Sequence, residues 1–127
     1  MHRKWIVIAA VLGLIGVAAG AFGAHALKAR ISPDKLASFE VGVRYQMVHA
    51  LALLAVAWVM SIQPSRAAAA AGVCMTVGVA LFSGSLYGLS LTEQRWLGPV
   101  TPIGGTLMIV GWLMLAIAGT KTRRKAA

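Results

Sequence analysis

From Trp5 to Leu27 the chain carries no Asp, Glu, Lys or Arg. A hydrocarbon core about 30 Å thick is crossed by roughly 20 apolar residues in an α-helix, so this run is long enough to span a bilayer. Three further runs, about Tyr45 to Ile62, Ala67 to Leu91 and Val100 to Gly119, have the same character. In lipid, backbone N–H and C=O groups must find partners inside the protein, which restricts spanning segments to helices or closed barrels. None of the four runs shows the alternation of a barrel strand. The sequence therefore predicts an all-α fold, an integral membrane four-helix bundle in one domain over residues 1–127.

Composition closes off the soluble alternatives. Hydrophobic residues make up 59% of the 127 and charged residues 12%, against about a quarter charged in a soluble domain. The net charge of +9 comes from 12 Lys+Arg against 3 Asp+Glu. Those cations sit at the edges of the apolar runs, the pattern of phospholipid headgroups and topology rather than of nucleic acid. The one cysteine, Cys74, forms no intrachain disulfide and reads as a small hydrophobe.

The first run has to be separated from a secretory signal. Arg3 and Lys4 supply a basic start, and Ala24-His25-Ala26 has the small-x-small form of a cleavage site. The apolar stretch exceeds the 7–15 residues usual for a signal core, and Gly16 and Gly20 give it a small-xxx-small face suited to helix contact. The expectation is a retained first span. With four spans the termini share a side. That side holds Arg3, Lys4, Arg66, Lys121, Arg123, Arg124 and Lys125, and the other holds Lys28, Arg30, Lys35, Arg44 and Arg95. The bias places both termini in the cytoplasm and the protein in the cell inner membrane. Trp5 and Trp58 then belong near the inner interface, and Tyr45, Tyr87 and Trp96 near the outer one.

Ser32-Pro33-Asp34 reads as an N-cap, a proline in the first helical turn and a first-turn acid. A short interfacial helix should therefore lead into the second span. Thr101-Pro102 suggests a similar start for the fourth. Between Phe39 and Leu51 lies the most chemically loaded segment. Glu40 and Arg44 stand four apart and suit a helical ion pair, while Gly42, Tyr45, Gln46 and His49 project elsewhere and should turn inward, since a lipid-facing Gln or His is costly. With His25, the residues Glu40, Arg44, Tyr45, Gln46 and His49 form a candidate polar cluster at the outer rim. It serves either as a hydrogen-bonded lock between helices or as a proton- or ligand-responsive site of a small transporter or channel subunit. Haem or metal held by His25 and His49 is a third reading, although zinc wants three or four protein ligands. Thr76, Ser83 and Ser90 recur every seven residues and read as packing hydroxyls. Gly16, Gly20, Gly23, Gly84, Gly104, Gly105 and Gly111, with Met108 and Leu115, read as helix-packing positions. Glu93 and Arg95 flank a short loop and should be solvated, and the basic tail should anchor topology at the lipid headgroups.

No glycine-rich phosphate loop, nucleophile–base arrangement or paired carboxylates stand at useful spacing, so enzyme chemistry has little to build on. The expected cofactor is none. The expected partners are membrane lipids, with a homo-oligomer permitted by the glycine faces, no nucleic acid, and no small-molecule ligand named by the residues.

Four motifs in order, GAFGAHALK, FEVGVRYQMVHALALL, LFSGSLYGLSL and RWLGPVTPIGG, resemble the small four-helix membrane proteins of the bacterial YgdD and YwdK type, whose eukaryotic relatives are called transmembrane protein 256. The resemblance covers nearly the whole chain. Val41 and Val48 depart from it, standing where threonine and an aromatic residue or histidine would be expected. It implies an integral inner-membrane protein with four helices. The family is catalogued as a domain of unknown function, so no residue inherits a role.

Overall fold

The computed structural model describes residues 2–122; Arg123, Arg124 and Lys125 of the basic tail lie outside the described residues. Four helices follow one another: α1 (His2–His25), α2 (Pro33–Ile62), α3 (Arg66–Leu91) and α4 (Val100–Lys121). Each is long and apolar enough to cross a membrane. Consecutive helices run antiparallel through short connections. Below, the end carrying His2 and Lys121 is the terminal end, and the end carrying the 26–32 and 92–99 connections is the distal end.

The local signals explain most boundaries. The Ser32 side chain accepts from the Lys35 amide at 3.3 Å, with Pro33 in the first turn and Asp34 beside it. Ser65 does the same for α3, accepting from the Ala68 amide at 3.0 Å. The interfacial helix expected before the second span is continuous with it: α2 is one helix of 30 residues. At 1.5 Å per residue it is about 45 Å long, so its first turns stand beyond the hydrocarbon. The start of α4 differs from expectation. Its cap position is Pro99, with no side-chain cap. Thr101 lies inside the helix, and its hydroxyl meets Ser85 of α3 at 2.5 Å. Threonine had a competing use, a bond to a neighbouring helix, that the Thr-Pro pair did not reveal.

α2 and α3 are central, with α1 packed chiefly on α2 and α4 chiefly on α3. Leu53 and Val56 of α2 and Met75 and Val79 of α3 are almost fully buried. Lipid tails are as apolar as these side chains, so close packing rather than hydrophobic transfer holds such helices together. Small residues make that packing possible. A Cβ at Gly104 would stand 2.7 Å from the Gly78 carbonyl oxygen and 2.9 Å from the Phe82 Cα. The backbones of α3 and α4 are thus in contact. Gly111 continues the seam, where a Cβ would come 2.7 Å from Met75 Cγ. On α1, Gly16 faces Met47, Gly20 faces Val43 and Gly23 faces Phe39, while Gly105 makes ordinary contact with the Phe82 ring.

Gly84 does otherwise: among the described residues nothing lies within 4 Å of its Cβ position, so no neighbouring helix closes on it there. Four glycines outside the expected set approach neighbours closely: Gly42 against Tyr87, Gly72 against Trp5, Gly78 against Met108 and Gly88 against Leu97. Trp5 lies at the terminal end but is buried between helices, its ring over Gly72, rather than set in an interfacial belt. Trp58, by contrast, is exposed.

Candidate functional site

Polar groups inside the bundle gather around one residue of α2. Gln46 is buried, and its Nε2 donates to the Leu12 carbonyl of α1 at 2.8 Å. Its Oε1 accepts from the Tyr87 hydroxyl of α3 at 2.6 Å. A carbonyl only accepts, so the Leu12 contact fixes which way the amide points. One side chain therefore ties three helices. One turn nearer the distal end, the Ser83 hydroxyl donates to the Gly42 carbonyl at 2.7 Å, a second link from α3 to α2. Phe39 closes on Tyr87 with ring centroids 4.9 Å apart.

His49 lies one turn further toward the terminal end and is 3% exposed. The indole N–H of Trp112 on α4 donates to His49 Nε2 at 3.0 Å, and Nδ1 lies 2.7 Å from the Tyr45 carbonyl. Since an indole only donates and a carbonyl only accepts, Nε2 carries the lone pair and Nδ1 the proton. Both ring nitrogens of a neutral imidazole are committed. Beside them a pocket of about 290 Å³ opens laterally between α2, α3 and α4, lined mainly by Tyr45, His49, Phe82, Met108, Ile109 and Trp112. Tyr45, Ile109 and Trp112 are also exposed on the bundle surface, so the pocket faces the hydrocarbon.

The depth of this site differs from the expected outer rim. Leu12 lies near the middle of α1 and Trp112 near the middle of α4, so Gln46 and His49 sit near the middle of the bundle's length. His25 is exposed at the distal end of α1. It stands roughly 20 Å from the His49 level along the bundle at 1.5 Å per residue. The structure does not bring the two histidines together as a ligand pair. Among the described residues no group of three or more His, Cys, Asp or Glu is placed to hold a metal.

Glu40 and Arg44 are exposed and face away from Gln46 and His49. The ion pair among the described residues is Lys35–Glu93 at 2.9 Å, joining the start of α2 to the α3–α4 connection. Glu93 is solvated as expected but also paired. The hydrogen bond and charge of Lys35 hold its carboxyl below the ordinary carboxylate range. A contact 58 positions apart in sequence won over the local pair, because the protruding turns of α2 bring Lys35 to that connection. Of the hydroxyl stripe, Thr76 and Ser90 bond carbonyls of their own helix, and Ser83 alone crosses to another.

Trp112 was not singled out by the sequence, although a signal was present. An indole far from both ends of an apolar span needs an acceptor, and Trp112 lies four residues from Met108 on the face toward the partner helices.

Comparison with known proteins places this architecture. Residues 19–105 match the family described as "Protein of unknown function (DUF423)". The chain is 41% identical over 120 residues to "UPF0382 membrane protein YwdK" of Bacillus subtilis, covering 94% of this chain and 98% of the relative. It is 37% identical over 123 residues to "UPF0382 inner membrane protein YgdD" of Escherichia coli K12, covering 97% and 94%. A "UPF0382 membrane protein" of Haemophilus influenzae is also 37% identical, over 97% of this chain and 98% of its own. No solved structure matches significantly. Four membrane-spanning helices, the ordered motifs and near full-length identity together show that the chain belongs to the DUF423 family of UPF0382 membrane proteins.

Proposed function

We propose that this is a multi-pass inner-membrane protein that acts without catalysis, through the contacts its packed helices make with lipid and protein neighbours. One observation carries the reading: the polar groups near the middle of the bundle are matched to one another. Gln46 joins Leu12 and Tyr87, and His49 joins Tyr45 and Trp112. A buried polar network with every member satisfied rigidifies a core. A carrier instead keeps an ionisable group free to exchange its load, typically a carboxylate within a span. Here Asp34 and Glu40 lie toward the distal end of α2, and Glu93 lies in a connection. The transporter reading lacks its central group.

Reconstitution tests this directly. Proteoliposomes carrying an imposed pH gradient should dissipate it no faster than protein-free vesicles. A faster flux that His49→Gln abolishes at unchanged folded yield would replace this reading with the transporter. The bias of cations toward the terminal end and the name of the Escherichia coli relative support an inner-membrane location with both termini in the cytoplasm. A cysteine introduced at His2 should resist membrane-impermeant thiol reagents in intact cells. Labelling there would invert the topology.

A further inference from the structure

The two ends of the bundle differ in how their charges are compensated. All three acidic side chains, Asp34, Glu40 and Glu93, belong to the distal half, where Glu93 already neutralises Lys35. Among the described residues the terminal end holds Arg3 and Lys4 at the start of α1, Arg66 at the start of α3 and Lys121 at the end of α4, with no Asp or Glu.

Two of these cations share a cavity. A pocket of about 500 Å³ at the terminal end is lined by Lys4, Met60, Pro64, Ser65, Arg66 and Ala69. Its position follows from packing. Trp5 is buried against Gly72, which docks the first turn of α1 on α3. The Lys4 ammonium lies 5.1 Å from the centroid of the Trp5 ring, a cation–π contact that helps to hold it. Arg66 opens α3 across the cavity. Ser65 Oγ accepts from the Ala68 amide and keeps its own proton to donate. The N-terminus of α3 adds partial positive charge. Met60, Pro64 and Ala69 supply apolar surface beside these donors. Cationic donors next to apolar wall, at the level where the helices leave the hydrocarbon, complement the phosphate and glycerol region of an amphiphile.

We propose that this cavity binds a phosphate group, that of an anionic phospholipid headgroup at the terminal-side leaflet, through Lys4, Arg66 and the Ser65 hydroxyl. The site names the lipid partner of the function proposed above and rests on the membrane-spanning reading within it. A free phosphate ion offers the same chemistry without the acyl chains.

The test uses the full chain in nanodiscs of phosphatidylcholine doped with a phosphatidylglycerol that bears a photoreactive headgroup, with crosslinks mapped by peptide mass. Crosslinks should concentrate on the segments holding Lys4 and Ser65–Ala69. A Lys or Arg near an anionic surface is worth about fivefold in association, so Lys4→Gln/Arg66→Gln should lower their yield by about fivefold or more. Lys28→Gln/Arg30→Gln, an equal charge loss at the distal end, should leave it unchanged. Unlabelled phosphatidylglycerol should compete and phosphatidylcholine should not. Failure of excess inorganic phosphate to compete assigns the site to the lipid, and full competition assigns it to the free ion. Crosslinks spread evenly over both ends, a yield indifferent to the Lys4/Arg66 change, or equal competition by phosphatidylcholine would each overturn the site. The competition arm needs only the unaltered chain, so it decides even if the double variant misfolds. A pH-gradient flux would replace the contact-based reading with the transporter while leaving these crosslinks as they are.

Discussion

Gly104→Leu is expected to abolish the folded bundle, and Gly104→Ala to destabilise it by about 1–3 kcal/mol, the usual range for overpacking a tight core. The reason is what the new atom would meet. At Gly104 it is the backbone of α3, the Phe82 Cα and the Gly78 carbonyl, rather than the movable end of a side chain. Two helices would have to separate along their whole seam to admit a methyl group, because Gly78, Gly104 and Gly111 lie on one line of contact. Gly84→Ala is the matched comparison. Its Cβ meets nothing within 4 Å, and alanine is favoured over glycine inside a helix by about 1 kcal/mol. Thermal unfolding in detergent should therefore move down for Gly104→Ala and stay level or rise for Gly84→Ala. Equal loss at both positions would show that the α3–α4 backbone contact is not what limits stability.

Gln46→Leu is expected to cost about 1–3 kcal/mol, the cost of leaving a buried polar partner unmatched. Leucine nearly preserves the volume but strands the Tyr87 hydroxyl and releases the tie to the Leu12 carbonyl. Tyr87→Phe should cost less, since the Gln46 amide keeps its bond to α1. The informative measurement is the double-mutant cycle. Interhelical hydrogen bonds in membranes couple by about 0.6 kcal/mol on average and up to about 1.7, and this short, enclosed bond belongs at the upper end. Additive losses would mean that Gln46 and Tyr87 act separately, and that the mid-bundle cluster is not a single lock.

The same cluster shows how far the residues were legible one by one. Gly42, Gln46 and His49 were expected to face inward from helical spacing and from the cost of a polar side chain in lipid, and all three are buried. Tyr45, from the same set, lies at the edge of the lateral pocket and is 42% exposed. Their partners were not legible, because Leu12, Tyr87 and Trp112 come from three other helices. Nothing in the local sequence states that Trp112 and His49 share a level. The cluster also divides by level along the bundle: His25 and Glu40 stay toward the distal end, whereas Gln46 and His49 bond to Leu12 and Trp112 near the middle of α1 and α4.

Glycine shows the division most plainly. By itself the sequence determined that this chain enters a membrane as four helices, because apolar length and the need to satisfy backbone groups in lipid leave no other solution. It determined the capped start at Ser32, because a cap is made within four residues. Only the tertiary structure decided which glycines are contacts and which are open. That depends on what a neighbouring helix presents at the same height: backbone at Gly104, the Trp5 ring at Gly72, and nothing at Gly84. It likewise paired Lys35 with Glu93 in place of Glu40 with Arg44, and drew Lys4 and Arg66 around one cavity. Each of these is a relation between helices, fixed by rotation and register, which hydropathy does not encode.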